Sequence, residues 1–513
     1  MLPLLFLLCN TAPIHLEGDV AEAGGDYVVV PFDVPAGMVE VQVAHSDGSP
    51  EVILDWGVWQ PDGGFRGWGG GLGDDAIIGV DESSRGYLEG PIPAGTWSLV
   101  IGKAKLAQGA GRYVVDVTCR PTATLTPTAR AGYTPTVLAT GPRWYRGDFH
   151  VHSEESGDAS ASLDQIATLA RSRGLDFVAV SDHNTVSHLP RLAAAQPGQP
   201  ALLFLRAAEV TTYAGHGNAL GLSQYVDHRV GFDRGGAAGP VSATTLVGEV
   251  VAQGALFVVN HPALRVGDIC IGCGWTHADT PWDQVAAIEI QTGPYELTAN
   301  LFTPQAIALW DEQLAAGHRL AAVGGSDDHR AGAGTGATDS PIGSPTTMVY
   351  ADDLSEASLL AAVRAGRTIV QLRGPDDPVL DVTARGRDGL LARLGDDVIA
   401  AGPLELAVHL TGAAGGTVSI WRDGDEDLVV PVPSDDWTET VLVPAVESDV
   451  PQRIRVEVNL DGQRVVVSGH FFVRWDLRPG DGCGCQGSAG AGGLSTLLLA
   501  TWFAARRRRA RRR

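Results

Sequence analysis

The chain has 513 residues, more than a single hydrophobic core usually supports, so its length predicts about three folded units. Hydrophobic residues make up 44% and charged residues 19%, which excludes a chain that is disordered or fibrous throughout. The formal net charge is −23, and −30 once the seven arginines of residues 506–513 are set aside, so the acidic surface argues against nucleic acid as a partner.

Residues 1–14 resemble a shortened secretory signal. The segment MLPLLFLLCNTAP has an apolar run of about seven residues but no basic flank, so it matches the three-part signal pattern poorly. Cys9 would suit lipidation, although Leu8 stands where lipoprotein cleavage needs a small residue. The segment suggests export without establishing it.

Residues 15–120 predict an all-β sandwich. Short alternating runs such as YVVVPFDV, MVEVQVAH and TWSLVIG are separated by Gly, Pro and Asp turns. The Pro/Thr-rich residues 121–142 then predict a linker. We expect these two segments to precede the unit that carries the chemistry.

Residues 143–373 predict a parallel α/β unit, because short apolar strands alternate with helical segments. Strand alternation in FHVHS places His150 and His152 on one face, where both imidazoles can reach one ion. The segment ASLDQIATLARSRG predicts an amphipathic helix that ends at Gly174. The buried strand LDFVAVS then delivers Asp182 and His183 at its carboxyl end, where sites gather in parallel α/β folds.

The same placement recurs further along this unit. In LLFLRAAEVTT a strand is expected to end with Glu209, GHGNALGL presents His216, LFVVNHP places His261 after a strand, and LAAVGGSDDH does so for Asp327 and His329. One HxH motif would be weak evidence. Polar groups placed repeatedly after buried strands are costly unless a metal or a partner satisfies them, so the series indicates a metal centre.

The motifs HxH, SDHN, EVTT followed by GHGNALG, NHP and GGSDDH resemble the polymerase-and-histidinol-phosphatase (PHP) superfamily, and specifically its carbaryl-hydrolase-like branch. The resemblance covers about 230 residues. It implies a distorted (β/α)7 PHP barrel with two or three divalent ions. The expected fold class is therefore α/β, a PHP barrel flanked by two all-β sandwich domains.

The resemblance also implies which residues hold the ions. The first ion would be held by His150, His152, Glu209 and Asp327, the second by Glu209, His216 and His261, and the third by Asp158, His183 and His329. Many members have Ser-Asp-Gly after the HxH motif, whereas this chain has Ser156-Gly157-Asp158, so the acid is shifted by one residue. This shift puts Asp158 and full occupancy of the third site in doubt. Glu209, Asp327 and Asp182 are the candidate catalytic residues.

Several nearby residues have weaker interpretations. Asp182 could orient His183 or act as a general base, and Asp328 is expected to be a solvated loop acid. Four histidines match no motif and are expected at the surface: His188, His228, His277 and His318. Three residues lie in or near strand-end loops and are weaker candidates for substrate contact: Arg265, Tyr295 and Arg330. Cys270 and Cys273 suggest a small disulfide, free thiols or half of a metal knuckle.

This set of ligands predicts hydrolysis by a metal-activated water. His and carboxylate ligands without thiolate suit Zn, Mn or Fe. No GxSxG elbow followed by Asp and His, and no Walker A loop, is present in the sequence. The expected function is an exported phosphoester hydrolase acting on a small-molecule ester. A carboxylic or carbamate ester hydrolase and a surface binding protein with an inactive barrel are the alternatives.

Residues 376–475 predict a second β-sandwich, from runs such as PVLDVTA, LELAVHL and RIRVEVNL. Residues 480–513 predict a sorting tail, in which Cys483 and Cys485 precede an apolar stretch and the arginines. The tail resembles myxobacterial-type C-terminal sorting tails, which implies a protein held at the cell surface or outer membrane, or released from it. A frayed basic tail is the alternative, and the oligomeric state stays open.

Overall fold

The computed structural model describes residues 13–476, except residues 48, 50, 108, 109, 129, 130, 236, 237, 337 and 338. Residues 1–12 of the expected signal segment and the whole expected tail, residues 480–513, lie outside the described residues. Among the described residues, no helix combines the length and the apolar character that crossing a bilayer requires.

The N-terminal part consists of two four-stranded antiparallel sheets around one core. Its strands are β1 (Ile14–Ala21), β2 (Tyr27–Val34), β3 (Glu40–Ser46), β4 (Ile53–Trp59), β5 (Phe65–Gly70), β6 (Ala76–Gly79), β7 (Gly95–Lys105) and β8 (Ala110–Arg120). The strand orders are β1-β8-β3-β6 and β2-β7-β4-β5. Alternation turns one face of each strand inward, as in β2, where Val30, Phe32 and Val34 are buried.

The Pro/Thr-rich segment after β8 is packed against its neighbours. The carboxylate of Glu40 accepts hydrogen bonds from the backbone N–H of Thr124 (2.8 Å) and from its hydroxyl (2.9 Å). Tyr133 is buried in the core of the central part, and its hydroxyl lies 2.7 Å from the carbonyl of Phe204. The segment therefore contacts both the N-terminal sheets and the central part.

The central part alternates strands with helices. Its elements are β9 (Thr140–Val151), α1 (Leu163–Ser172), β10 (Phe177–Val180), α2 (Leu189–Ala195), β11 (Leu203–Thr212), β12 (Gly215–Leu220), α3 (Ala243–Ala252), β13 (Leu256–Val259), β14 (Val285–Thr292), α4 (Tyr295–Thr298), α5 (Thr303–Ala315), β15 (Ala321–Gly325), β16 (Thr346–Asp353), α6 (Glu356–Arg364) and β17 (Thr368–Gln371). Helix α1 begins with a capping box between Ser162 and Gln165, and Gly174 follows its end with φ +73°.

The sheet of the central part is mixed instead of wholly parallel. Strands β9, β10 and β11 are parallel to one another, as are β13, β14 and β15. Strand β12 runs antiparallel to both β11 and β13, because residues 213 and 214 form a tight turn between β11 and β12. This hairpin brings two of the expected ligands, Glu209 and His216, onto neighbouring strands.

The expected distorted (β/α)7 barrel is not confirmed. The strands follow the order β15-β14-β13-β12-β11-β10-β9-β16-β17, and the described residues form no ladder between β9 and β15. A single bridge joins Val151 to Asp328, and the N–H of Asp327 donates to the carbonyl of His150 at 2.9 Å. Strand β15 ends at Gly325, and the residues that follow it lie against the end of β9, beside the expected ligands, without a closed ladder.

The C-terminal part continues the central sheet. Its strands are β18 (Val379–Arg385), β19 (Leu391–Ala392), β20 (Asp397–Ala400), β21 (Leu404–Thr411), β22 (Thr417–Arg422), β23 (Asp425–Pro431), β24 (Asp436–Val443), β25 (Gln452–Leu460) and β26 (Gln463–Trp475). Strand β26 pairs with β17, and β25, β22 and β23 extend the sheet beyond it. A second sheet, β19-β18-β21-β24, packs on the same core. The expected second sandwich therefore shares a sheet with the α/β unit.

Candidate metal centre

The end of β9 places both histidines of the HxH motif in the interior, where neither is exposed. Their Nε2 atoms face the same carboxylate oxygen, Oδ1 of Asp327, at 3.2 Å from His150 and 3.0 Å from His152. The carboxylate of Glu209 lies 3.3 Å and 3.6 Å from the same two nitrogens. These four residues offer donor atoms close enough together to hold one ion.

A second group forms around the other side of Glu209. Its Oε1 atom lies 3.5 Å from Nδ1 of His216 and 3.2 Å from Nε2 of His261. The side-chain amide of Asn260 donates a hydrogen bond to the same oxygen at 2.9 Å. Glu209 is thus the residue shared by the first and second groups, which is the place that the family resemblance implied for it.

The third group consists of His152, His183 and His329. Asp158 lies beside it, with Oδ2 at 3.4 Å from Nε2 of His183 and 3.3 Å from Nε2 of His329. The shifted acid therefore reaches the expected place. Its side chain is 60% exposed, which makes it the most accessible of the nine expected ligands.

Within the part of the chain that the structure describes, two buried atoms of this centre have no hydrogen-bond partner, Nε2 of His150 and Oε2 of Glu209. Buried polar atoms are normally satisfied, so such atoms need another partner. Both belong to the group that could hold an ion together with His152 and Asp327. A divalent ion fits this donor set and would satisfy both atoms.

The buried carboxylates of the centre also indicate a site for cations. Burial alone would raise the pKa of Glu209, but His150 and His183 hold it well below its usual value. Burial opposes the charge on His329 too, yet Asp158 and Asp327 raise the pKa of its imidazole to about 9. The carboxylates thus remain ionised only beside positive charge, which bound ions would provide in place of protons.

Glu289, on β14, supports the centre and has no counterpart among the residues expected from sequence. It is buried, and its Oε1 lies 3.2 Å from Nδ1 of His150, while its Oε2 accepts the backbone N–H of His261 at 2.8 Å. Both oxygens are therefore used to orient ligand residues. An acid directly after the apolar run VAAI of this strand was the signal that could have identified it.

Asp148 has a similar supporting role on β9. Its carboxylate is fully buried and accepts the backbone N–H groups of His150 (3.0 Å), Ser326 (3.1 Å) and Gly343 (2.7 Å). Burial raises the pKa of Asp148 to about 6. This carboxylate holds the HxH segment and the residues after β15 against each other.

The contacts of Asp182 differ from those expected of a residue that orients His183 or acts as a general base. Its carboxylate accepts hydrogen bonds from the backbone N–H of Ser153 (2.6 Å) and from its hydroxyl (2.7 Å), and lies 3.1 Å from Nδ1 of His188. It makes no such contact with His183 among the described residues. Asp182 therefore supports the loop after the HxH motif, and its buried position argues against a general base.

Three expectations of surface exposure are wrong. Asp328 is buried, and its carboxylate accepts the N–H groups of Arg330 (2.8 Å), Gly332 (2.7 Å) and Ile342 (3.0 Å), which fixes the loop after β15. His188 is buried beside Asp182, and His228 is buried against Trp68. His277 and His318 are half-buried.

Three residues that follow strands of the central part adopt a backbone conformation that most residues with a Cβ atom avoid. Asn184, His261 and Asp327 have φ values of 52°, 27° and 58°, in the left-handed region. Asn, Asp and His enter this region more readily than other residues with a Cβ atom. The backbone conformation of these turns therefore helps to set the positions of the side chains in the metal centre.

A cavity of about 630 Å³ opens against the centre. Seven of the nine expected ligands line it: Asp158, His183, Glu209, His216, His261, Asp327 and His329. The N-terminal sheets form a wall with residues such as Tyr27, Ile53, Asp55 and Trp68. No Lys or Arg occurs among its described lining residues.

The three weaker candidates for substrate contact do not line this cavity. Arg265 and Arg330 are exposed. Tyr295 is buried, and its hydroxyl donates to the carbonyl of Arg464 at 2.7 Å. Their placement gives no support to a role in substrate binding.

A disulfide joins Cys270 to Cys273 in the loop beside His216. Of the three alternatives for this pair, a small disulfide, free thiols or half of a metal knuckle, the structure therefore has the disulfide, which acts as a staple of this loop. The carbonyl of Ile271, within the staple, lies 3.0 Å from Nε2 of His216. Cys270 and Ile271 also line the cavity. The staple therefore holds a wall of the cavity against an expected ligand.

No family model matches the chain, and no curated protein matches it significantly. Among solved structures, a two-domain protein containing a predicted PHP-like metal-dependent phosphoesterase from Bacteroides vulgatus matches with 16% identity, a TM-score of 0.36, 67% of this chain and 100% of that chain. A protein regarded as a metal-dependent phosphoesterase from Bifidobacterium adolescentis matches with 15% identity, a TM-score of 0.27, 38% of this chain and 92% of that chain. TM-scores this low do not establish a shared fold, so the proposed function rests on the site's own geometry.

Proposed function

We propose that this chain is a hydrolase that uses two or three divalent ions, of Zn, Mn or Fe, to cleave an ester bond of a small molecule with water. The proposal rests on the convergence of five imidazoles on the carboxylate of Glu209, those of His150, His152, His183, His216 and His261. A buried cluster of imidazole nitrogen and carboxylate oxygen suits these metals.

When bound, such ions supply hydroxide near neutral pH and offset negative charge on the substrate oxygen. The chain's own residues prepare the site for this chemistry. Glu209 is shared between two ligand groups and would set their spacing. Glu289 fixes the ring of His150 through Nδ1, which leaves Nε2 directed at the centre.

A phosphoester is the first candidate for the bond that is cleaved, as the motif resemblance implies. Because no described lining residue is Lys or Arg, the ions would have to offset the charge of the substrate. This favours a phosphodiester, which has one negative charge, over a monoester, which has two. Hydrolysis of a diester would also give two products of different charge, a phosphomonoester and an alcohol, which would leave the cavity separately.

A carboxylic or carbamate ester is the second candidate. The cavity has apolar lining residues, among them Ile53, Leu264 and Ile271, and no described basic side chain. Such a lining suits an uncharged ester, and hydroxide attack on an acyl carbon uses the same ions.

The test is to measure metal content and hydrolysis on the full chain. We expect at least two divalent ions per chain by elemental analysis. On p-nitrophenyl phosphate, bis-p-nitrophenyl phosphate and a naphthyl carbamate, we expect the diester to be cleaved fastest. Chelation should abolish this activity and added metal should restore it. Hydrolysis that survives removal of the metal would contradict the proposal, and a chain without metal or activity would support a binding protein with an inactive central part.

We also propose that the protein is exported to the cell surface. The disulfide between Cys270 and Cys273 supports an oxidising compartment, and the sequence of residues 480–513 resembles a sorting tail. A chain that ends at residue 479 should then appear in the culture medium with its activity intact. Accumulation of misfolded protein inside the cell would contradict this role of the tail.

A further inference from the structure

The N-terminal sheets are fixed against the loops that carry the ligands. The backbone N–H of Gly86 donates to the carboxylate of Glu155 at 3.0 Å, and the hydroxyl of Thr185 donates to the carbonyl of Gly86 at 3.0 Å. The side chain of Arg85 donates to the carbonyl of Ala159 at 3.3 Å, next to Asp158. The wall that these sheets form is therefore a built part of the cavity.

This wall presents one carboxyl group, Asp55 on β4, to the same cavity as the ligands. The hydroxyl of Tyr213 donates to Oδ2 of Asp55 at 2.6 Å. Tyr213 lies in the turn between β11 and β12, and so between Glu209 and His216 along the chain. Gly102 makes this contact possible, since a Cβ atom there would collide with the Tyr213 hydroxyl.

Asp55 differs from the other acids that line the cavity. Asp158, Glu209 and Asp327 belong to the ligand cluster. Asp268 forms an ion pair with Lys105 at 2.7 Å, and Asp339 lies 3.5 Å from Arg330. Among the described residues, no basic side chain forms an ion pair with Asp55.

Cleavage of an ester bond leaves an oxygen atom that needs a proton unless it belongs to a very good leaving group. Few described groups in the cavity could donate one. Burial lowers the pKa of His228 to about 3, so its imidazole stays neutral. Burial raises the pKa of both Tyr27 and Tyr213, so neither releases a proton readily.

We propose that Asp55, presented by the N-terminal sheets and held by Tyr213, is the proton donor to the leaving oxygen of the substrate. This inference rests on the proposed hydrolase function. As the bond from phosphorus or acyl carbon to the leaving oxygen breaks, its electron pair stays on that oxygen, which takes the carboxyl proton of Asp55. The attacking water gives its hydroxide to the substrate and its remaining proton returns to Asp55, so one ester and one water become one acid and one alcohol.

The charges around Asp55 favour its protonated form. Burial, with smaller contributions from the charges of Asp47 and Asp158, raises the pKa of Asp55 to about 6, although the hydrogen bond from Tyr213 and the charge of His183 act in the opposite direction. Tyr27 and Asp26, at the start of β2, also face this region. Because the pKa is raised, the proton is held up to about pH 6 and is lost as the pH rises above it.

The test compares two phosphodiesters that differ in their leaving group. The full chain and the variant Asp55→Asn are assayed on bis-p-nitrophenyl phosphate, whose leaving group needs little protonation, and on diphenyl phosphate, whose leaving group needs more. We expect Asp55→Asn to lose about 100-fold in kcat on the diphenyl ester and less than about threefold on the p-nitrophenyl ester. The fall in rate above pH 6 on the diphenyl ester should disappear in the variant.

A matched control is Asp33→Asn, whose carboxylate accepts a hydrogen bond from Thr96 on the same sheets outside the cavity. It should leave both rates unchanged. In Tyr213→Phe the hydrogen bond that lowers the pKa of Asp55 is lost, so the fall in rate should move to higher pH. Metal content should match the wild type in all three variants.

Infrared titration of the full chain gives a readout that does not depend on activity. In the difference spectrum of wild type minus Asp55→Asn, a carboxylic acid band that titrates near pH 6 should be present, because the carboxyl of Asp148, whose pKa is also about 6, cancels in the difference. Equal losses on both esters, no loss on either, or absence of this band would overturn the role of Asp55. A wild-type chain that binds metal but cleaves no ester would instead overturn the proposed function, and the proton-donor role with it.

Discussion

Glu209 faces five imidazoles with two oxygens, and one of those oxygens has no hydrogen-bond partner among the described residues. Glu209→Gln keeps the size of the side chain and removes the charge that would offset two cations. We expect turnover to fall by at least ~100-fold and metal content to drop, measured by steady-state kinetics and elemental analysis. The control is Glu154→Gln, an exposed acid in the loop after the HxH motif. Near-normal turnover in Glu209→Gln would show that another residue bridges the ions.

Glu289 acts on the centre through His150 and the backbone of His261. Glu289→Gln weakens both contacts while it leaves every expected ligand in place. Loss of a carboxylate that orients a ligand typically costs about 10- to 100-fold in metal affinity. Competition with a chelator of known affinity measures this loss. An unchanged affinity would show that packing alone orients His150.

Asp328 illustrates how sequence reasoning failed at a single residue. It was expected to be a solvated loop acid, whereas the structure buries it under three N–H groups of one loop. Asp328→Ala leaves those donors without an acceptor, which should cost about 1–3 kcal/mol in the free energy of unfolding. Thermal denaturation measures this cost, with Asp352→Ala as an exposed control. An unchanged unfolding temperature would contradict it.

At the scale of elements, the sequence predicted which strands carry ligands but not how the strands assemble. Strands β10, β13 and β15 are short apolar runs followed by polar residues, so the local pattern was sufficient to place His183, His261 and Asp327 after strand ends. Glu209 instead lies within β11, which continues to Thr212. The antiparallel direction of β12 and the absence of a described ladder between β15 and β9 depend on pairing between distant segments. Local periodicity does not encode such pairing.

The loop stapled by Cys270 and Cys273 offers a test at this scale. Its Ile271 carbonyl contacts His216, so the double variant Cys270→Ser/Cys273→Ser should loosen that contact. We expect about 10-fold weaker binding of one ion, seen as partial metal loss on dialysis, while the remaining metal is retained. Full metal retention would show that the staple has no influence on the centre.

The whole molecule depends on contacts that no single segment reveals. Strand β26 covers the edge of β17 and continues the central sheet, so the C-terminal part is not an independent attachment. An uncovered strand edge favours aggregation. A chain that ends at residue 375 should therefore be largely insoluble, whereas a chain that ends at Asp476 should give soluble protein with cooperative unfolding. Equal soluble yield and unfolding temperature would contradict this dependence.

Ion binding should also stabilise the molecule as a whole. An ion that binds only the folded state stabilises it by about 2.7 kcal/mol at a free concentration 100 times its Kd. We expect chelation to lower the unfolding temperature by several degrees and added metal to restore it, measured by calorimetry. An unfolding temperature that does not respond to metal would contradict a centre formed by these residues.

The left-handed turns at Asn184, His261 and Asp327 affect how any mutagenesis of this centre is interpreted. Alanine at His261 or Asp327 would remove a ligand and, at the same time, place a residue poorly suited to positive φ at a strand end, which costs about 1–2 kcal/mol. Alanine scanning would therefore merge a chemical effect with a conformational one. His261→Asn and Asp327→Asn keep residues that tolerate the turn. Comparison of the alanine and asparagine variants at each position therefore separates the effect of losing the ligand from the cost of the backbone conformation.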